Sequence, residues 1–180
     1  MRQAGLSEKE LAFILEEIKN VRVGTLGDIC LDVYWEADMR RSSLSRETPH
    51  YHLPVVTERN SPGAGGNVAM NVAELGVGKI SILSIIGSDW RGRLLLDCFE
   101  EKGIDTKHII VSKERVTHAC CKPIRTGISD VAYEDPRLDF ENFDDLPAHL
   151  EILIIEELHE LIKDIDTRSS DVLIYPQDFW

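Results

Sequence analysis

The sequence has no hydrophobic run of the roughly 20 residues that a membrane-spanning helix needs. Its N-terminal stretch, Ser7–Lys19, is charged and periodic, so it lacks the continuous apolar region of a signal peptide. Cysteine is scarce and forms no Cys-x-x-Cys pair, which gives no support to a zinc or disulfide framework. We therefore expect a cytoplasmic protein whose cysteines are buried free thiols: Cys30, Cys98, Cys120 and Cys121.

Positive charge is also in short supply. The 180 residues contain 20 Lys and Arg against 32 Asp and Glu, a formal net charge of -12. Nucleic-acid binders hold phosphate backbones with clustered Lys and Arg, so this balance argues against a nucleic-acid partner. A small phosphorylated ligand stays compatible with it, because a few local arginines can outweigh the overall field.

Helical and extended patterns alternate along the chain, which predicts an α/β fold with a mostly parallel sheet. Ser7–Lys19 is predicted to be an amphipathic helix that begins with a capping box between Ser7 and Glu10. The later helices are predicted at Asn67–Leu75, from Ser88 to about Lys102, and at Leu146–Ile165. The strands are predicted at Val21–Gly27, Lys79–Ile86, Ile109–Val111 and Val172–Tyr175.

Four further extended segments do not fit this alternation. They are Asp32–Ala37, Tyr51–Glu58, Thr117–Pro123 and Val131–Glu134. Pro49 and Pro54 favour edge or irregular positions. We interpret the first two segments as a lid or flap outside the central sheet.

A glycine cluster runs directly into a predicted helix at Pro62-Gly63-Ala64-Gly65-Gly66-Asn67. Glycines allow the backbone to come close to a ligand, and the free N–H groups of the first helical turn then face it. The Asn67 amide can both donate and accept, which suits a sugar hydroxyl. A glycine turn that only connects two elements is the alternative interpretation of Gly63, Gly65 and Gly66.

The stretch from Pro62 to Gly76 resembles the first signature of PfkB/ribokinase-family carbohydrate kinases, which binds the sugar. Upstream, Gly27-Asp28 is followed by Asp32, as in the family's first strand, where the second Asp takes sugar hydroxyls. The resemblance implies a Rossmann-like, ribokinase-type sheet flanked by helices, with a small β lid at about 33–58 and 116–135. It also implies transfer of the ATP γ-phosphate, with Mg²⁺, to a sugar or sugar-phosphate hydroxyl, and a homodimer through the lid.

Leu-Asp-Val-Tyr-Trp at 31–35 and Arg-Leu-Asp-Phe-Glu at 137–141 are most similar to the branch of the family that phosphorylates heptose 7-phosphate. In that branch, Arg46 is a candidate contact for the phosphate of the sugar, through fork-shaped charge-assisted bonds. A solvated loop arginine is the alternative.

The family's second signature, a Gly-Ala-Gly-Asp stretch that supplies the anion hole and the catalytic base, does not occur in the 180 residues. We therefore interpret residues 1–180 as a single truncated kinase domain in which the C-terminal part of the fold is missing. Asp32, Gly63, Gly65, Gly66 and Asn67 would bind the acceptor, no catalytic residue is assigned, and the chain alone is expected to be inactive. A non-catalytic sugar-binding or partner-binding module, or a barely stable product of a broken reading frame, are the alternatives.

Metal sites are weakly indicated. His50 and His52 form a His-x-His pair without an evident third ligand, and the acidic residues between 134 and 145 do not follow EF-hand spacing. We predict no metal site in this chain.

Overall fold

Four α-helices and nine strands make up the fold in a computed structural model that describes residues 5–165 and 172–174. The helices are α1 (Glu8–Glu17), α2 (Gly65–Glu74), α3 (Trp90–Glu101) and α4 (Ala148–Ile165). The strands are β1 (Arg22–Leu26), β2 (Ile29–Asp38), β3 (Val55–Ala64), β4 (Lys79–Gly87), β5 (Ile109–Ser112), β6 (His118–Thr126), β7 (Tyr133–Glu134), β8 (Leu138–Phe140) and β9 (Val172–Ile174).

The first sheet consists of four parallel strands in the order β5-β4-β1-β9. Its central strands are apolar on both faces, as is usual for a parallel sheet covered by helices on both sides. Val23 and Ile82 belong to the core shared with α2 and α3, whereas Leu83 packs with Leu161 and Ile165 of α4. The predicted α/β fold, with a mostly parallel sheet flanked by helices, is confirmed.

The second sheet has the order β3-β2-β6-β7, and β8 also pairs with β6. β2 runs antiparallel to β3 and parallel to β6, so it lies between these two strands in the second sheet. Ile29, Leu31 and Val33 alternate on its buried face and join the core formed with α2 and α3. Asp32 and Tyr34 lie on the opposite, open face.

The segments expected to form the lid, 33–58 and 116–135, contribute most of β2, the start of β3, and all of β6 and β7. The bounds of this lid, and the treatment of residues 1–180 as one domain, stay predictions.

β3 differs from the expected strand at residues 51–58, since it begins at Val55 and continues through Pro62 and Gly63. It is an edge strand, and an edge tolerates proline because the missing N–H is not needed by a second neighbour. α2 starts at Gly65, two residues earlier than expected, directly after Ala64, the last residue of β3, which has φ 51°. The stop predicted at Gly76 is confirmed, with φ 81° at that glycine.

α1 is confirmed together with its capping box, in which Ser7 and Glu10 exchange side-chain to backbone bonds. The helix is amphipathic, but none of its residues is buried. Leu11 and Phe13, for example, are 47% and 66% exposed.

α4 buries Leu150, Leu161 and Ile165, whereas Leu153 and Ile162 on the same helix are 40% and 38% exposed. β9 ends at Ile174, and Tyr175 of the predicted strand lies outside the described residues. No helix among those described is long and apolar enough to cross a membrane.

Candidate functional site

Polar side chains gather on the open face of the second sheet because the strand register places them side by side. Asp32 of β2 lies opposite Ser61 of β3 and Cys120 of β6. Tyr34 lies opposite Lys122 of β6 in the same way. Directly paired residues point to the same face of a sheet, so the site is assembled from strands that are distant in sequence.

Asp32 is held by a lysine that sequence reasoning did not identify. Lys122 Nζ donates to Asp32 Oδ1 at 2.8 Å and to the Tyr34 hydroxyl at 3.1 Å. Burial by itself would lower the pKa of Lys122, but the bonds to Asp32 and Tyr34 outweigh it and raise that pKa. Lys122 is therefore a fixed cation in the site.

The second oxygen of Asp32 lies above Gly63. A Cβ at position 63 would come within 3.0 Å of Asp32 Oδ2 and 2.6 Å of Cys30 Sγ. Only glycine leaves this approach to the carboxylate open. The structure thus brings together Asp32 and Gly63, two of the residues predicted to bind the acceptor.

Gly65 and Gly66 have evident packing roles. The Gly65 N–H donates to the Asp28 carbonyl oxygen at 2.8 Å, and a Cβ there would lie 2.6 Å from that oxygen. A Cβ on Gly66 would meet Pro62 Cβ at 3.0 Å and Phe99 Cζ at 3.1 Å. These two glycines let the start of α2 press against the β1–β2 turn and the core.

Asn67 is exposed in the first turn of α2. No side chain caps this helix, and the N–H of its first residue, Gly65, is satisfied by the Asp28 carbonyl instead. Ala64, the residue just before the helix, lines the larger of two adjoining cavities. The helix start and the open sheet face therefore meet at one cavity.

The larger cavity, of about 620 Å³, borders the sheet face. Its polar and charged lining residues are Asp28, Cys30, His118, Cys120, Arg137, Glu141 and Asn142. A neighbouring cavity of about 400 Å³ shares Asp28, His118 and Asn142 and extends past Leu26 at the carboxyl end of β1. Open α/β sheets bind ligands at the carboxyl ends of their strands, which is where these cavities lie.

The cysteines beside Asp32 are not suited to nucleophilic chemistry. Burial, reinforced by the nearby Asp32 carboxylate and by Cys120, raises the pKa of Cys30 to about 12. Burial likewise raises the pKa of Cys120. Both thiols therefore stay protonated near neutral pH and act as weakly polar lining.

Arg46 is not brought to this group. It is exposed in the loop between β2 and β3, within the turn closed by the Leu44–Tyr51 bridge. β2 continues for six residues beyond Asp32, about 20 Å at the usual rise per residue, before that loop begins. Its assignment as a phosphate contact stays a prediction.

Metal ligands do not converge on the site. Across residues 5–165 and 172–174, no group of three or more His, Cys, Asp or Glu side chains is placed to hold an ion. His52 of the His-x-His pair instead contacts the Ser43 hydroxyl through Nδ1, at 3.3 Å.

Comparisons with known proteins agree with this picture. The profile of the pfkB family carbohydrate kinases matches residues 29–159. The bifunctional protein HldE of Citrifermentans bemidjiense is 31% identical over 162 residues, which cover 89% of this chain and 31% of HldE. HldE of Geobacter metallireducens is 29% identical over 156 residues, covering 86% of this chain and 30% of the relative. The chain thus spans about a third of the length of the curated relatives it matches.

Among solved structures, a candidate sugar kinase from Clostridium perfringens superimposes with a TM-score of 0.52 at 15% identity, covering 87% of this chain and 51% of that one. At this identity the match speaks for the fold alone.

Proposed function

Because this chain belongs to the pfkB family of carbohydrate kinases, we propose that it is the acceptor-binding part of an ATP-dependent kinase that phosphorylates a sugar or sugar-phosphate hydroxyl. The observation that carries the proposal is the Asp32 carboxylate beside the larger cavity. Lys122 holds its Oδ1, its Oδ2 makes no hydrogen bond with a described residue, and its neighbours Cys30 and Cys120 line a cavity of about 620 Å³. A carboxylate oxygen of this kind accepts a hydroxyl hydrogen bond.

A heptose 7-phosphate is the proposed acceptor. Support comes from the HldE relatives at about 30% identity and from the stretches at 31–35 and 137–141. The phosphate would meet a guanidinium, since Arg binds phosphate through two parallel bonds. Arg46 is the predicted contact, and Arg137, which lines the larger cavity and pairs with Asp139, is the alternative that the geometry adds. Arg46→Ala and Arg137→Ala, titrated with the phosphorylated and unphosphorylated sugar, should identify which one contributes.

ATP and Mg²⁺ belong to the proposal for the whole kinase and not to the residues described here. The 180 residues contain no Gly-Ala-Gly-Asp stretch, and the described side chains form no cluster that fits a metal ion. Phosphoryl transfer depends on positioning and on charge stabilisation around the phosphates. No transfer step is therefore assigned to a residue of this chain, whose contribution is to bind and orient the acceptor.

A sugar-binding module without catalysis is the second candidate function. Support for it comes from the Asp32–Lys122 pair, which forms a polar site although no residue of the chain is assigned to catalysis. Calorimetric titration of the chain with heptose 7-phosphate tests the sugar site that both candidates share. Sequencing the coding DNA beyond the codon for Trp180 separates the two, since a Gly-Ala-Gly-Asp segment there supports the kinase part and its absence supports the module. Asp32→Asn should abolish the sugar response in either case, and an unaltered response would refute the site.

We also propose a homodimer through the second sheet. β3 is an edge strand whose outer side pairs with no other strand among those described, and Val55 and Val56 on it are about half exposed. Unprotected edges of this type associate readily. Sedimentation of the wild-type chain and of Val56→Lys tests this, because a charge at the edge should shift a dimer towards the monomer. A monomeric wild-type chain would rule the dimer out.

A further inference from the structure

We propose that Lys122 and Tyr34 act with Asp32 as one positioning unit that recognises two neighbouring hydroxyls of the acceptor. Asp32 would accept a hydrogen bond from one hydroxyl, and Tyr34 would donate a hydrogen bond to the other. This inference rests on the proposed sugar-binding function and specifies which residues give it selectivity.

Lys122 connects the two side chains that would touch the sugar. Its ammonium group has three donors, of which one goes to Asp32 Oδ1 at 2.8 Å and one to the Tyr34 hydroxyl at 3.1 Å. The Lys122 and Asp32 side chains are only 17% and 23% exposed, so water screens the pair weakly. Asp32 is thereby fixed with Oδ1 engaged and Oδ2 directed at the gap above Gly63.

Tyr34 supplies the complementary donor. Its hydroxyl oxygen accepts from Lys122, which leaves its own O–H hydrogen for a ligand. Two cations lie close to the Tyr34 ring, with Lys122 Nζ 4.6 Å and the Arg59 guanidinium 5.1 Å from the ring centre. These contacts limit rotation of the ring.

If the Lys122–Asp32 ion pair were only structural, replacing Lys122 would have a different effect from the one that the positioning role predicts. Replacing a purely structural Lys122 would change the melting temperature of the chain and leave its sugar affinity intact. A positioning residue acts on ligand affinity, because a site that loses its fixed geometry must order it on binding. Affinity and stability therefore need to be measured on the same variants.

The variants are Lys122→Met, Lys122→Arg and Tyr34→Phe, with Lys79→Met as the matched control. Lys79 pairs with Asp105 at 2.8 Å in the first sheet, the same distance as the Lys122–Asp32 pair but remote from the cavity. The probe is heptose 7-phosphate, together with its single-deoxy analogues, titrated by calorimetry, and each variant is also melted thermally.

We expect Lys122→Met to weaken heptose 7-phosphate binding about tenfold or more, because Asp32 and Tyr34 would then have to be ordered when the sugar binds. Lys122→Arg should restore most of the affinity, and Lys79→Met should leave it unchanged. The wild type should bind the parent sugar about tenfold more tightly than the deoxy analogue that lacks the hydroxyl bound by Tyr34. In Tyr34→Phe this preference should fall to near one, because that sugar hydroxyl no longer receives a hydrogen bond from the protein.

Two results would overturn the inference and are distinguishable. If the wild-type chain binds heptose 7-phosphate and Lys122→Met and Tyr34→Phe bind it equally well, the positioning role is wrong while the sugar site stands. If the wild-type chain does not bind it, the proposed heptose site falls and the positioning role with it. Should Lys122→Met not fold, Tyr34→Phe decides alone, because it removes one hydroxyl and no charge.

Discussion

Gly65→Ala tests whether the close approach between α2 and the β1–β2 turn is required. The new Cβ would lie 2.6 Å from the Asp28 carbonyl oxygen, and real Cβ atoms stay beyond 3.0 Å, so the helix or the turn must move by at least about 0.4 Å. Overpacking of this kind costs about 1–3 kcal/mol. Weakening the 2.8 Å bond from the Gly65 N–H to the same oxygen adds about 1 kcal/mol.

Part of this cost is offset, because alanine is favoured over glycine in a helix by about 1 kcal/mol. The net expectation is a loss of about 1–3 kcal/mol in the free energy of unfolding, measured with urea. Sugar affinity should fall as well, because the displaced turn carries Asp28, which lines both cavities.

Gly5→Ala is the control for the same chemical change without a clash, since nothing lies within 4 Å of a Cβ there. It should stay within about 0.5 kcal/mol of the wild type. If Gly65→Ala and Gly5→Ala are equally stable, the contact with Asp28 does not constrain position 65, and the packing role assigned to this glycine is wrong.

Three other predictions concern charges and thiols. His108→Gln should lower the free energy of unfolding in urea by about 1–3 kcal/mol, because this fully buried imidazole contacts the Glu157 and Asp164 carboxylates of α4 at 2.9 and 3.2 Å. Lys163→Met, which breaks an exposed ion pair on the same helix, is the control. If both variants are equally stable, the prediction is wrong. Hydrogen bonding from Arg40 lowers the pKa of Asp38 from 3.8 to about 2, so its stabilisation is complete above about pH 4 and disappears towards pH 2. The difference in unfolding free energy between the wild type and Asp38→Asn should shrink over that range, and a pH-independent difference would refute the assignment. Iodoacetamide should not modify Cys30 in the native protein at pH 8, because burial raises the pKa of this thiol to about 12. Peptide mass spectrometry after labelling with and without urea tests this, and labelling of Cys30 without urea would contradict it.

Much of the fold could be predicted from the sequence because its signals are local. The apolar run of β4, the capping box at Ser7 and the glycine stop at Gly76 each depend on residues within one element. The exposure of α1 could not be predicted, since an amphipathic pattern shows which face is apolar but not whether another element covers it.

The candidate site was predictable only in part. Asp32 and the glycines were found through their resemblance to a family signature, whereas Lys122 and Tyr34 were missed. Their meeting depends on the register of β2 against β6, which no local pattern specifies. A usable signal existed in the alternation of polar residues at positions 118, 120 and 122 of β6, which mark one face of that strand.

The pairing of β2 with β6 also has a consequence for how the chain folds during synthesis. Tyr34 and Lys122 are neighbours across the sheet but lie 88 residues apart in sequence. A ribosome adding about 5–20 residues per second would make the second strand only about 5–20 s after the first. Until then β2 has β3 alone beside it, with its other edge open and Asp32 without its counter-charge. During this interval β2 has been synthesised but β6 has not, and one edge of β2 is unpaired. The nascent chain would most need the protection of a chaperone at this stage.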